Sequence, residues 1–359
     1  MNNVFFSAFF WRKIFLTSRI KCYINAKRPT WPPPFILGHN AQSEGEETTF
    51  TMNTRCCVFD EPILDSVLPP FLLLEFILGL TGNILGLWMI CNDFKSWKPN
   101  SVYLFSLTLA DVVVVFCVFF RADYYLRHHD WVYGDIPCRL LLYILAAARA
   151  AGMIFLSVIA LNRYFKILFP FNRVNNITVS QAAGICIALW LFIFAMHSYI
   201  LTDSHFFKLN NETQCESFNI CPKSLISWQD ALYISLSSLS LMIISYCTVC
   251  IAFHLKDNAI DTNGKVRRAM KFIVLIAAVF IVCYLPSATV RVTIWVLNSM
   301  KYEDCADYRH ANLAFYVAIS LTYFYSMLNP ILYYFSSPSS HNLLTKFWKN
   351  KELVSSETH

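Results

Sequence analysis

Seven long apolar runs, separated by short polar or basic blocks, dominate the chain beyond residue 66. They fall at Leu68–Cys91, Val102–Leu126, Cys138–Leu161, Ala182–Leu201, Ala231–Leu255, Phe272–Leu297 and Ala311–Phe335. Each has about 20–26 residues, enough for an α-helix to cross a hydrocarbon core roughly 30 Å thick. The connections are short, and no internal repeat or second domain is visible. The pattern predicts an all-α integral membrane protein, a seven-transmembrane helix bundle over residues 67–336. An outside N-terminus (52–66) would precede it, and a cytoplasmic tail with a short amphipathic eighth helix (337–359) would follow.

Composition supports the same class. Of 359 residues, 56% are hydrophobic and 14% charged, where soluble domains carry about 25% charge. A net charge of +6 does not point to nucleic acid, because the basic residues sit in short blocks between apolar runs. With the C-terminus inside, thirteen Lys/Arg fall on the cytoplasmic side and seven on the outer side, as the positive-inside rule requires. Six cysteines, Cys56, Cys57, Cys138, Cys215, Cys221 and Cys305, then lie on the outer face, where disulfides persist. Asn211-Glu212-Thr213 in the second outer loop is a glycosylation sequon.

Residues 1–51 differ from the rest. Their apolar patch at Val4–Phe15 is interrupted by Arg12-Lys13, unlike a secretory signal. The preferred reading makes Met52 the functional start and the upstream segment a gene-model extension or a disordered tail.

Ionisable side chains in membrane helices are costly, so each is a functional candidate. Asp111 lies midway along the second run, Glu75 in the first, Arg121 near the outer end of the second, and Arg291 in the sixth. Arg149 stands eleven residues beyond Cys138, about 16 Å along the helix axis. Its neighbours, Ala146-Ala147-Ala148 and Ala150-Ala151-Gly152, leave open volume around the guanidinium. A buried guanidinium needs a partner, and its planar fork suits a carboxylate. That partner is either an internal acid, Glu75 or Asp123, or an anionic ligand from outside. The third run contains no acid of its own, which favours the ligand.

Motifs recur in order along the runs: Gly82-Asn83, Leu109-Ala110-Asp111, Asn162-Arg163-Tyr164, Trp190, Cys283-Tyr284-Leu285-Pro286 and Asn329-Pro330-Ile331-Leu332-Tyr333. Together they resemble the signatures of the rhodopsin-like (class A) G-protein-coupled receptors, across residues 65–345. Cys56-Cys57-Val58-Phe59, Gly134-Asp135-Ile136-Pro137-Cys138-Arg139, Leu285-Pro286-Ser287 and Tyr333-Tyr334-Phe335-Ser336-Ser337-Pro338 resemble the hydroxycarboxylic acid receptors. Asp123-Tyr124-Tyr125-Leu126 and Ala160-Leu161-Asn162-Arg163-Tyr164 are similar to the sister oxoeicosanoid receptor.

The resemblance implies a plasma-membrane receptor, not an enzyme, that binds a small or lipidic carboxylic acid. It implies coupling to the inhibitory G protein, lowered cAMP, and arrestin as a further partner. Arg149 falls where the hydroxycarboxylic acid receptors grip the ligand carboxylate. Ser217 and Phe218 would cap the pocket, Trp131, Phe315 and Tyr323 would line it, and Arg291 would stand at its mouth. Ordinary packing is the alternative for each aromatic, and snorkelling for Arg291. The implied disulfides are Cys138–Cys215, Cys56–Cys221 and Cys57–Cys305; spacing alone leaves fifteen pairings open.

The same resemblance assigns Asn162, Arg163, Tyr164, Pro286, Asn329, Pro330 and Tyr333 to G-protein coupling and the switch. Pro286 would hinge the sixth helix, and an agonist would shift the population towards an open cytoplasmic cleft. The basic run Lys265, Arg267, Arg268 and Lys271 would line that cleft and also meet anionic lipid. Three departures stand out. Asn162 replaces the usual Asp and predicts ligand-independent activity. Ser240 replaces a fifth-helix proline and puts the bulge there in doubt. Gly152 removes a hydroxyl from the sodium region, leaving Asp111 and Asn329 as a weak sodium site.

An anion transporter is the rival from another class, but it would show repeats and matched broken helices. A membrane enzyme would need a catalytic constellation, and no zinc or nucleophile motif emerges. Among acids, lactate, short hydroxy acids, nicotinate-like acids and oxidised fatty acids all offer Arg149 a carboxylate. Ala146, Ala147 and Ala150 suggest more room than a three-carbon acid needs.

Overall fold

The computed structural model describes residues 62–92, 97–202, 205–209, 212–215, 228–257, 265–299 and 305–336. The expectations for residues 1–51, Ser217, Phe218, Asn211, the bridges of Cys56, Cys57 and Cys221, and the eighth helix lie outside the described residues. So do the side chains of Asn329, Pro330, Tyr333 and Cys305.

Eight α-helices make the seven spans: α1 (Pro62–Asn92), α2 (Pro99–Leu126), α3 (Asp135–Leu168), α4 (Val179–His197), α5 (Trp228–Asp257), α6 (Lys265–Cys283), α7 (Leu285–Ser299) and α8 (Cys305–Ser336). The sixth span is α6 followed by α7. Pro286 has no N–H to give to the carbonyl four residues back, and the helix breaks at Tyr284. Helix starts follow local chemistry. Pro99 opens α2, where its missing N–H costs nothing. At α4, Thr178 and Gln181 exchange hydrogen bonds of 3.0 and 3.3 Å in a capping box. Gly134 precedes α3 at φ 87°, a left-handed conformation that favours glycine.

Six spans among the described residues are long and apolar enough to cross a membrane, and α8 contributes a shorter apolar stretch, Leu313–Leu328. The third span is central: 72% of its most apolar window is buried, against 17% for the fourth and 28% for the first and fifth. Peripheral helices keep their apolar side chains outward, as with Ile77 and Leu85 on α1, Leu191 on α4, and Met242 and Phe253 on α5. A soluble chain seldom exposes so much apolar surface. Lipid takes the place of water there, and close packing and interhelical hydrogen bonds hold the bundle. Asn83, fully buried, gives its amide to Gly79 O at 2.9 Å and to Ser326 O at 2.8 Å, joining α1 to α8.

α5 is continuous helix through Ser240, so no bulge forms there. Ser240 and Ser237 instead donate to the backbone oxygen and sulfur of Met153 on α3. One element departs from the all-helical expectation. β1 (Phe206–Leu209) and β2 (Glu212–Cys215) form an antiparallel hairpin between the fourth and fifth spans, with Phe206 opposite Cys215.

Candidate ligand site and switch

Cys138, in the first turn of α3, is bonded to Cys215 at the end of β2, which is the first of the three disulfides expected. Arg121 of α2 reinforces this join: its guanidinium donates to Cys215 O and to the Tyr125 hydroxyl, each at 3.0 Å. Trp131 gives its ring N–H to Gly134 O at 2.8 Å and its backbone N–H to Thr213 O at 2.6 Å. It packs in an aromatic cluster with Tyr124 and Tyr133 and is absent from the cavity lining described below. At the rim, the Asp123 carboxylate accepts from Arg127 at 2.7 Å and from the Tyr133 hydroxyl at 2.9 Å. That bond holds the Tyr133 phenol above its ordinary pKa.

Beneath the hairpin end a partly open cavity of ≈ 30 Å³ lies among α3, α4, α5 and α7, large enough for a water or two. Arg149, Arg291, His197, Tyr233, Ala146 and Ala150 are among its walls. Ala147 is not; it packs in the main core. The small residues flanking Arg149 let neighbouring helices approach while its side chain turns inward. Arg149 is 7% exposed. Its Nε donates to Leu145 O at 3.2 Å, and its guanidinium carbon lies 5.9 Å from the Tyr323 ring centroid. Nη1 is buried with no hydrogen-bond partner among the described residues.

The internal acids weighed as partners do not meet it. Asp123 is engaged with Arg127 and Tyr133. Glu75 is buried in α1 with neither carboxylate oxygen hydrogen-bonded among the described residues. Arg291 is different: it is ion-paired with Asp230 in the first turn of α5. Its guanidinium also lies 4.7 Å from the Tyr233 ring and 5.0 Å from that of Phe315. It is 7% exposed, buried rather than snorkelling. The cavity is therefore cationic: two guanidiniums, one neutralised by a carboxylate.

Three participants were not singled out from sequence. Asp230 stands one residue before the fifth apolar run, and its spacing from Arg291 gives no local signal. Tyr233 and His197 look like ordinary helix residues until packing brings them to the cavity.

At the opposite end, Asn162 donates its amide to Asn100 Oδ1 at 3.1 Å, while the Arg163 guanidinium lies 4.9 Å from the Phe272 ring of α6. Tyr164 packs at a tilt against Tyr246 of α5, centroids 5.8 Å apart. Between the two ends, a methyl group added at Gly152 would meet the Tyr284 hydroxyl and the Tyr325 ring. Glycine here makes room for two tyrosine rings packed at a tilt, their centroids 4.9 Å apart. Asp111 is buried on α2; its expected sodium partner, Asn329, has a side chain outside the described residues.

Comparison with known proteins matches residues 82–333 to the 7 transmembrane receptor (rhodopsin family) model. Human hydroxycarboxylic acid receptor 2 is 40% identical over 292 residues, covering 81% of this chain and 80% of that receptor. Human hydroxycarboxylic acid receptor 1 is 37% identical over 304 residues, 84% of this chain and 85% of its own length. Human oxoeicosanoid receptor 1 is 32% identical over 290 residues, 79% and 73% of the two chains. These relatives are receptors, not enzymes. The chain belongs to the rhodopsin-like G-protein-coupled receptors, multi-pass plasma-membrane proteins, in the group that holds the hydroxycarboxylic acid and oxoeicosanoid receptors.

Proposed function

We propose that this receptor senses a small or lipidic carboxylic acid of the hydroxycarboxylate type, held through its carboxylate by Arg149. The observation that carries the reading is a buried guanidinium on a cavity wall, with an unpartnered Nη1 and no carboxylate in ion-pair reach among the described residues. An uncompensated charge at such depth is costly, and a planar carboxylate satisfies it with two parallel hydrogen bonds. Arg291, already paired with Asp230, adds positive potential without competing as strongly for the ligand. The relatives' names point the same way, towards hydroxycarboxylic acids.

In this reading the N-terminus is outside and the hairpin end receives the ligand. Because the cavity has room for little more than water, the acid binds as side chains part. The agonist favours the state in which α6 and α7 have swung about the Pro286 break. At the inner end that movement draws Phe272 away from Arg163 and opens the cleft for a G protein of the inhibitory class, lowering cAMP. Arrestin would use the same end. Sodium at Asp111 would act as a modulator.

The test is a cAMP-inhibition screen of carboxylic acids on the wild type and Arg149→Ala, with surface levels matched. The expected result is a panel of active acids whose potency collapses in the variant. Acids that keep their potency in Arg149→Ala would sink the proposal, and activation of a stimulatory pathway would remove the inhibitory assignment.

A further inference from the structure

Four polar side chains from four helices wall the same cavity: Arg149 of α3, His197 of α4, Tyr233 of α5 and Arg291 of α7. Arg149 Nη1, Arg291 Nε and the Tyr233 hydroxyl are buried with no hydrogen-bond partner among the described residues. Buried polar atoms are nearly always paired in folded proteins, so this concentration of unpaired ones marks a place built for a polar guest.

His197 supplies what the others lack. It is 5% exposed, and its Nδ1 lies 2.8 Å from Ile193 O. A carbonyl oxygen only accepts, so Nδ1 carries the proton. In the neutral ring Nε2 then offers a lone pair. A carboxylate has no proton to give, so it can satisfy the guanidiniums but not this nitrogen. A hydroxyl can do both jobs at once: it donates to one partner and accepts from another.

Resting on the carboxylate reading above, we infer that His197 and Tyr233 form a second polar subsite that receives a hydroxyl carried by the acid on Arg149. The ligand hydroxyl donates to His197 Nε2 and accepts from the Tyr233 O–H. An oxo group in its place only accepts, so it uses Tyr233 and leaves His197 unpaired. A plain methylene uses neither. The subsite therefore ranks hydroxy acid above oxo acid above unsubstituted acid at one chain length. Tyr233 carries a second duty, since its ring lies under Arg291, which Phe preserves.

The experiment measures potency for two matched sets, lactate, pyruvate and propionate, and β-hydroxybutyrate, acetoacetate and butyrate. The receptors are wild type, Tyr233→Phe, His197→Phe and Arg149→Gln at equal surface level. In the wild type at least one hydroxy acid should exceed its unsubstituted counterpart by roughly three- to tenfold, the range of one or two net hydrogen bonds. Tyr233→Phe and His197→Phe should each lower that ratio to what a single remaining hydrogen bond sustains, while leaving the unsubstituted acid within about twofold. His197→Phe should also erase the gap between hydroxy and oxo acids. Wild type that prefers neither hydroxy acid, or variants that keep the ratio, overturns the inference. If Arg149→Gln abolishes every response while those ratios stay unchanged, the subsite falls and the carboxylate anchor stands. If unsubstituted acids remain active on Arg149→Gln, the anchor itself falls.

Discussion

Asn162 of α3 gives its side-chain amide to Asn100 of α2 at 3.1 Å, so the residue beside Arg163 is committed to a neighbouring helix. A carboxylate at this place could restrain the arginine by charge; an amide cannot. Asn162→Asp should therefore lower ligand-independent signalling, by about two- to fivefold for an ion pair of modest strength. Basal nucleotide exchange on membranes from matched cells checks this. Unchanged or increased basal activity in the aspartate variant would count against it.

Arg163 is also held by an aromatic contact. Arg163 lies 4.9 Å from the centroid of Phe272, and a cation over a ring is worth about 0.5–2 kcal/mol depending on desolvation. Because Phe272 sits on α6, this contact breaks when the sixth span swings. Phe272→Leu should raise basal signalling several-fold, whereas Phe272→Tyr, which keeps the ring face, should stay near wild type. Equal basal activity in the two variants would remove Phe272 from the resting latch.

Gly152 and Tyr284 are coupled by volume. A Cβ at position 152 would meet the Tyr284 hydroxyl first and the Tyr325 ring second. Gly152→Ala should destabilise the receptor by about 1–3 kcal/mol, the usual cost of overpacking. Removing the obstructing oxygen with Tyr284→Phe should recover much of it. Melting temperatures of the purified single and double variants provide the check; additive losses would show that the two sites do not share this space.

The seven spans were legible because a hydrocarbon core imposes one length and one composition on every helix that crosses it. Their ends were less so. α3 runs on from Leu161 to Leu168, past the apolar run, because a helix that leaves the membrane can continue in water with polar residues. The hairpin Phe206–Cys215 was missed: its strands have four residues each, too few for alternation to stand out. Arg149 could be found from sequence alone, since a charge among alanines in a membrane run needs a reason. His197, Tyr233 and Asp230 could not. Each is unremarkable within its own helix, and only packing brings His197 and Tyr233 to the cavity and Asp230 to Arg291. Trp131 shows the converse: a resemblance places it at the pocket, while its hydrogen bonds tie the connection between α2 and α3 to the hairpin.

The most direct test of the central claim removes each charge of the proposed pair in turn. The binding affinity of an active acid and of its primary amide would be measured on wild type and on Arg149→Gln. If Arg149 holds the carboxylate, either change alone costs roughly thirtyfold or more, as for a buried charge left without its partner. The two together should cost little beyond one. Full affinity of the acid on Arg149→Gln, or losses that simply multiply, would contradict it.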